Sequence, residues 1–268
     1  MLMLSCTERI DIELEGTFTR CIIFGQITTD TTEHKITITR SGDYFSDTPP
    51  QGISGALVTI SDGDNLFPLT ENPDEPGTYF TQPDIYGEPG KTYTLFVENV
   101  DLLGNGNLTS YEATSQMNPV AEADSIKVTY RTDWQGWVVQ AYAQDPPETE
   151  DFYKFLLYKN GELFTDSLRK INYTDDSFFD GNYTHGVVIY YFSDEETFTT
   201  DDTITAAFCG ITQDYYKYLI EARVTASPSL PLFSAPPANP RTNLSNGALG
   251  YFTAYSISRS TTIIKGED

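Results

Sequence analysis

From Cys21 to Met117 the chain keeps a short beat. Apolar or aromatic runs of a few residues alternate with threonine and are broken by Gly, Pro, Asp and Asn. Lys35-Ile-Thr-Ile-Thr-Arg40 shows the pattern most cleanly. Only a pleated strand puts every second side chain on one face, so Ile36 and Ile38 should meet a core while the threonines stay wet. Turn signals recur about every ten residues, the cadence of an immunoglobulin-like sandwich. The other runs that fit are Cys21–Ile27, Gly55–Ser61, Leu66–Thr70, Pro76–Phe80, Lys91–Val97 and Thr109–Met117. Asp62-Gly-Asp-Asn65 makes the hairpin turn between the second and third of these.

Asn118-Pro119 reads as a boundary. The expected organisation is an N-terminal tether over 1–17, an immunoglobulin-like β-sandwich over 18–118, and a C-terminal β-rich domain over 119–268. The order Gly55-Ala-x-Val-x-Ile60, Asp62-Gly63, Pro76-Gly-x-Tyr79, Gly90-x-x-Tyr-x-Leu95 also resembles a transthyretin-like sandwich. The C-terminal domain would be a larger β-sandwich or barrel-like domain built on Asp124–Arg131, Gly136–Ala143, Asp151–Tyr158, Gly186–Phe192 and Asp202–Cys209. Thr174–Thr184, rich in Asp, Gly and Asn, reads as an exposed loop. One helix is expected near 212–226: Thr212 can cap it, and Tyr215, Tyr218, Leu219 and Ala222 fall on one stripe. A proline-rich connector then leads to Asn239–Tyr255, where a turn-forming run changes abruptly into an apolar, aromatic strand. That strand should close the sheet begun at the start of the C-terminal domain. The fold class is therefore all-β, and 18 Tyr and 16 Phe suit such half-buried pleated surfaces.

The charge excludes one class of partner. Sixteen basic against 39 acidic residues give a net charge of −23, a field that repels phosphate backbones, so no nucleic-acid partner is expected. No apolar run reaches the roughly 18 residues needed to span a bilayer as a helix. Leu4-Ser5-Cys6 resembles the bacterial lipobox, whose cysteine becomes the lipid-bearing first residue of the mature protein. The preceding Met1-Leu-Met lacks a signal peptide's charged and longer apolar parts, which implies a truncated or misplaced start. Cys21 and Cys209 lie in strand-like apolar settings and are expected as buried thiols rather than a disulfide.

Catalytic signatures are absent from the sequence. The two histidines, His34 and His185, have no metal-ligand spacing, and no nucleophile elbow or phosphate-binding loop occurs. The expectation is a protein that is not an enzyme. Paired carboxylates for a hydrolase remain an alternative among so many acids. Asp62 and Asp64, and Asp176 and Asp180, place oxygen ligands in turns and are the weak candidates for calcium, the only cofactor considered. Trp134, Trp137 and Tyr142, with Phe178 and Phe179 in an acidic loop, are the candidate ligand-binding side chains. Period-two alternation assigns Trp137 to the core side with Val139 and Ala141, and leaves Trp134 in the preceding turn.

The polar stretch after Cys6, the Gly55-Ala-x-Val sandwich, a helix with Tyr216-Lys-Tyr218, and Asn239-Pro…Asn243-Leu-Ser-Asn-Gly-Ala-Leu-Gly-Tyr-Phe252 form an ordered series. This series resembles the domain-of-unknown-function 4249 family of Bacteroidota lipoproteins. The resemblance implies an outer-membrane, cell-envelope lipoprotein lipidated at Cys6, often encoded near TonB-dependent transporters for nutrient uptake. It implies no catalytic residue. The expected role is an accessory or ligand-binding subunit of such a transporter, taking a glycan, peptide or other nutrient, with a surface glycan-binding module as the alternative. Membrane contact would be through the lipid alone, and Thr7-Glu8-Arg9 leaves both faces of the outer membrane open.

Overall fold

The computed structural model describes residues 19–42, 49–192, 196–226 and 239–265. The first half supplies β1 (Cys21–Thr28), β2 (Lys35–Arg40), β3 (Leu57–Ser61), β4 (Leu66–Pro68), β5 (Thr70–Glu71), β6 (Thr78–Phe80), β7 (Thr92–Asp101) and β8 (Leu108–Gln116). The second half supplies β9 (Ala123–Arg131), β10 (Gly136–Ala143), β11 (Phe152–Lys159), β12 (Glu162–Leu163), β13 (Asn172–Asp175), β14 (Val187–Tyr191) and β15 (Thr203–Ile211). Helix α1 (Gln213–Ala226) and the 15-residue β16 (Leu249–Ile263) complete the chain. The architecture is all-β and sandwich-like, and the described strands do not close into a barrel.

One large sheet runs β12-β11-β15-β16-β1-β2-β6-β5, with β13 also on β11. Two smaller sheets, β4-β3-β7-β8 and β14-β10-β9, cover one face of it. The faces follow from the alternation of side chains. Ile23, Ile27, Ile36, Ile38, Phe252 and Ala254 meet Val58, Leu95 and Val97 in one core. Tyr153, Phe155, Leu157, Ala206 and Phe208 meet Val139, Ala141 and Ile189 in a second. On the opposite face Phe152, Cys209, Ile211 and Tyr255 pack beneath α1 through Leu219. Cys21 and Cys209 thus lie in different cores and are free thiols. Burial raises their pKa values to about 12 and about 11.

The final strand does more than close a C-terminal sheet. Its first half pairs in parallel with β1, from Ile22–Leu249 to Thr28–Tyr255, and its second half pairs antiparallel with β15. The large sheet therefore continues across both halves of the chain. The expected boundary at Asn118-Pro119 falls where the covering layer changes from β8 to β9. There Ser256 donates to the Asn118 carbonyl (2.5 Å), and Ser258 accepts from Ala123 N–H (2.9 Å). Periodicity describes one strand at a time, so it could not reveal that β16 takes a partner from each end of the sequence.

The turn-forming run before β16 becomes intelligible in this setting. Asn243 accepts from Phe252 N–H through Oδ1 (3.1 Å) and donates through Nδ2 to the Phe252 and Thr114 carbonyls (2.8 and 2.9 Å). Its amide stands in for a neighbouring strand and stitches β16 to β8. Ser245 and Asn246 extend the seam to Glu112 and Ser110. Asn246 and Gly247 take positive φ to make the turn, and Ala248 drops into the core. Gly250, at φ 97°, lies so close to β1 that a Cβ would collide with the Ile23 carbonyl oxygen. Arg241 grips α1 through Glu221 (2.7 Å) and Asp214 (2.8 Å), and Tyr251 donates to Asp214 (2.9 Å).

Two substitutions test this seam by denaturant unfolding. Gly250→Ala combines a disfavoured φ with a backbone collision and should cost at least about 2 kcal/mol. Asn243→Ala leaves the Phe252 backbone groups without partners and should cost about 2–4 kcal/mol.

Candidate functional site

Strand β11 is buried on both faces, and its inward residues Tyr153 and Phe155 line a cavity of about 290 Å³ between the large sheet and β14-β10-β9. Ala141 and Ala143 of β10 and Val187 and Ile189 of β14 form the opposite wall. Small alanines on β10 leave the space open where larger aliphatic side chains would fill it. The polar groups gather at one end, where Asp145 follows β10 and Phe179 folds in from the loop after β13.

Asp145 is almost wholly buried (1% exposed) and is fixed by two donors, Tyr153 O–H (2.7 Å) and Gly181 N–H (3.1 Å). Its pKa is raised, chiefly by burial and further by the charges of Asp176 and Asp151. Burial likewise raises the Tyr153 phenol, and the Asp145 carboxylate reinforces the shift. Asp176 is buried too, accepts from Asp151 N–H (2.8 Å), and starts the tight turn in which its carbonyl receives Phe179 and Asp180 N–H. Oxygens of Asp145, Asp176 and Asp180 lie within 4.8 Å of one another. The arrangement puts one carboxylate, Asp145, on the lining of an apolar cavity with Asp176 and Asp180 close behind it, suited to a hydrogen-bond donor or positive charge on a ligand with an apolar body.

The sequence candidates divide accordingly. Asp176, Asp180 and Phe179 come together here, with Asp145 and Tyr153 as members that sequence reasoning missed. Nothing local marks Asp145; its role arises because β10 ends beside the loop after β13. The expected exposed loop over Thr174–Thr184 needs correction: Thr174 and Asp175 belong to β13, which pairs with β11, and Phe179 turns inward against Tyr153. Only Phe178 of the pair stands free, at 96% exposed. Tyr142 points away from the cavity, since β10 directs Ala141 and Ala143 inward.

Trp134 and Trp137 lie at the other end of β10. Trp137 packs with Val139 and Ala141, as its period predicts, and meets Tyr130 and Phe198 edge-on. Trp134 is 48% exposed, with the Arg131 guanidinium 5.2 Å from its centroid and Tyr191 against its edge. Asp62 accepts from Asp64 and Asn65 N–H (3.0 and 2.7 Å) and pairs with Lys91 (2.9 Å), so its carboxylate serves the turn. His34 is buried against the Ile85 carbonyl, and its pKa is lowered by burial. Cys6 lies outside the described residues. Among the described residues no helix is long and apolar enough to cross a membrane.

A family model described as "Domain of unknown function (DUF4249)" matches residues 7–261. No curated protein matches the chain. Among solved structures, one titled "Cytokine receptor complex - Crystal form 1A" is 7% identical, covering 91% of this chain and 96% of its own, with a TM-score of 0.28.

The carboxylates in and around this cluster should give a measurable pH signature. Burial, then the charges of Asp176 and Asp180, raise the pKa of Asp151 in the folded protein. Its contribution to stability is therefore full below the unfolded carboxylate value and is lost as pH rises through the folded one. Thermal unfolding should show that lowering pH from about 7 towards the unfolded carboxylate value of about 4 stabilises the parent more than Asp151→Asn. Equal gains in the two proteins would contradict this account of the cluster's electrostatics.

Proposed function

The chain belongs to the family described as Domain of unknown function (DUF4249), and on that premise we propose a cell-envelope lipoprotein that is not an enzyme. In this reading it is lipid-anchored at Cys6 in the outer membrane and works as an accessory or ligand-binding subunit of a TonB-dependent nutrient transporter. The ligand-binding part is carried by the cavity between β11 and β14, with its apolar walls and its polar end at Asp145 and Tyr153. The anchor is supported by Leu4-Ser5-Cys6, and the transporter partnership by the family resemblance. Tethering supplies the mechanism: it confines ligand, lipoprotein and transporter to one surface and raises their effective concentration. The surface of this strongly acidic chain also repels other polyanions.

Affinity purification of the tagged full-length protein from native outer membranes, followed by mass spectrometry, tests the partnership. A TonB-dependent transporter should be recovered in near-equal amount, and Cys6→Ala should move the protein out of the membrane fraction. Recovery of the lipoprotein alone in mild detergent would sink the accessory-subunit reading. A glycan screen of the free protein and of Trp134→Ala would then test the glycan-binding alternative.

One observation supports a second reading as a hydrolase. Asp145 has a raised pKa and sits in a cavity beside another carboxylate, Asp176, the environment of a general acid. Hydrolysis of a glycan substrate that is lost in Asp145→Asn, with the fold intact, would favour it over the binding reading.

A further inference from the structure

The face of the large sheet that carries α1 holds a second recess, remote from the cavity above because it lies on the opposite side of β11. This groove, about 750 Å³, has Phe24 and Gln26 of β1, Thr253 and Tyr255 of β16, and Lys154 and Leu156 of β11 on its floor. Helix α1 forms one wall with Tyr215 and Tyr218, which pack with Tyr251 at centroid distances of 5.1 and 4.8 Å. The segment from Leu163 to Ile171 forms the other wall.

Two features of the floor do not fit an ordinary packing surface. Lys154 is 3% exposed, yet among the described residues it has no ion pair. Its ammonium lies 3.9 Å from the Tyr255 ring centroid and 5.4 Å from that of Tyr215, with the Tyr255 hydroxyl as its polar neighbour. That hydroxyl donates to Gln26 (2.9 Å), and its oxygen is left to accept from one N–H of the ammonium. An ammonium has three N–H donors, and aromatic faces only partly replace the water it has lost. Thr253, 2% exposed, presents a buried Oγ1 with no hydrogen-bond partner. A cation without a counter-ion and an unused hydroxyl thus share one floor, in a chain with 39 acidic residues. The charged groups at the rim are already paired: Asp166 with Lys170 at 3.1 Å and Lys35 with Glu75 at 3.6 Å.

We propose that this groove binds a small carboxylate carried on a flat apolar or aromatic body. The carboxylate would pair with Lys154 and accept from the Thr253 hydroxyl, and the body would lie against Tyr215, Tyr218 and Tyr255. The carboxylate supplies the acceptors that these donors lack, and the tyrosine rings supply an apolar surface with the plane that an aromatic ligand needs. The groove lies within the usual size range of small-molecule sites, about 300–1,000 Å³. The assignment does not depend on the transporter partnership, so the two stand or fall separately.

The test uses full-length protein and two probes of matched shape, 2-naphthoate and its neutral counterpart 2-naphthalenemethanol, titrated by calorimetry. The parent should bind 2-naphthoate saturably and at least about tenfold more tightly than the alcohol, because a charge-assisted hydrogen bond is lost with the latter. Lys154→Met should erase that preference, and Thr253→Val should weaken 2-naphthoate alone. Equal affinities for the two probes, no saturable binding, or an unchanged preference in Lys154→Met would overturn the proposal. If Lys154→Met fails to fold, the comparison of the two probes on the parent protein still decides.

Discussion

The parallel pairing of β16 with β1 is the contact on which the rest of the structure depends. A parallel pair demands that two strands distant in sequence be delivered side by side, and here they come from opposite ends of the described chain. With β16 in place, β15 and β11 continue the sheet on one side and β2 and β6 on the other. Remove it and the large sheet becomes two unrelated pieces, each with a raw edge. The close approach at Gly250 and the side-chain amide of Asn243 are the two local devices that let the strand enter at the right height.

Alternation then distributes the functions. Even-numbered residues of β16 feed the core shared with the four-stranded sheet and the seam to the second layer, while Tyr251, Thr253 and Tyr255 face the helix side. Strand β11 does the same: Tyr153 and Phe155 line the inner cavity, and Lys154 and Leu156 form the floor of the outer groove. Two recesses with opposite electrostatic character, one lined by the Asp145 carboxylate and one floored by a lysine, therefore share a single strand.

The fold was legible in the sequence wherever a property repeats along the chain. Lys35–Arg40, Gly136–Ala143 and the Tyr215–Leu219 stripe each carry their period in plain view, and the structure places them as strand, strand and helix. The site was legible only in part. Asp176, Asp180 and Phe179 could be singled out because acids and aromatics cluster in that loop, but Asp145 belongs with them only through the packing of β10 against the turn after β13. Lys154 was invisible for a similar reason, since nothing in Phe-Tyr-Lys-Phe-Leu marks the lysine as buried until strands are known to flank it on both sides. Convergence of residues from different elements is a property of three dimensions, and no one-dimensional period encodes it.

The position of β16 also sets the order in which the molecule can be assembled. During synthesis β1 emerges early, but one of its two neighbours, β16, is the last of the described strands. The antiparallel hairpins of the four-stranded sheet can form as they appear, whereas the central layer must wait for β16. Contacts of such long sequence separation fold slowly, because the intervening loop must be closed before they contribute. Until β16 arrives, the place between β1 and β15 is unfilled, and neither half of the large sheet has the neighbour that joins it to the other.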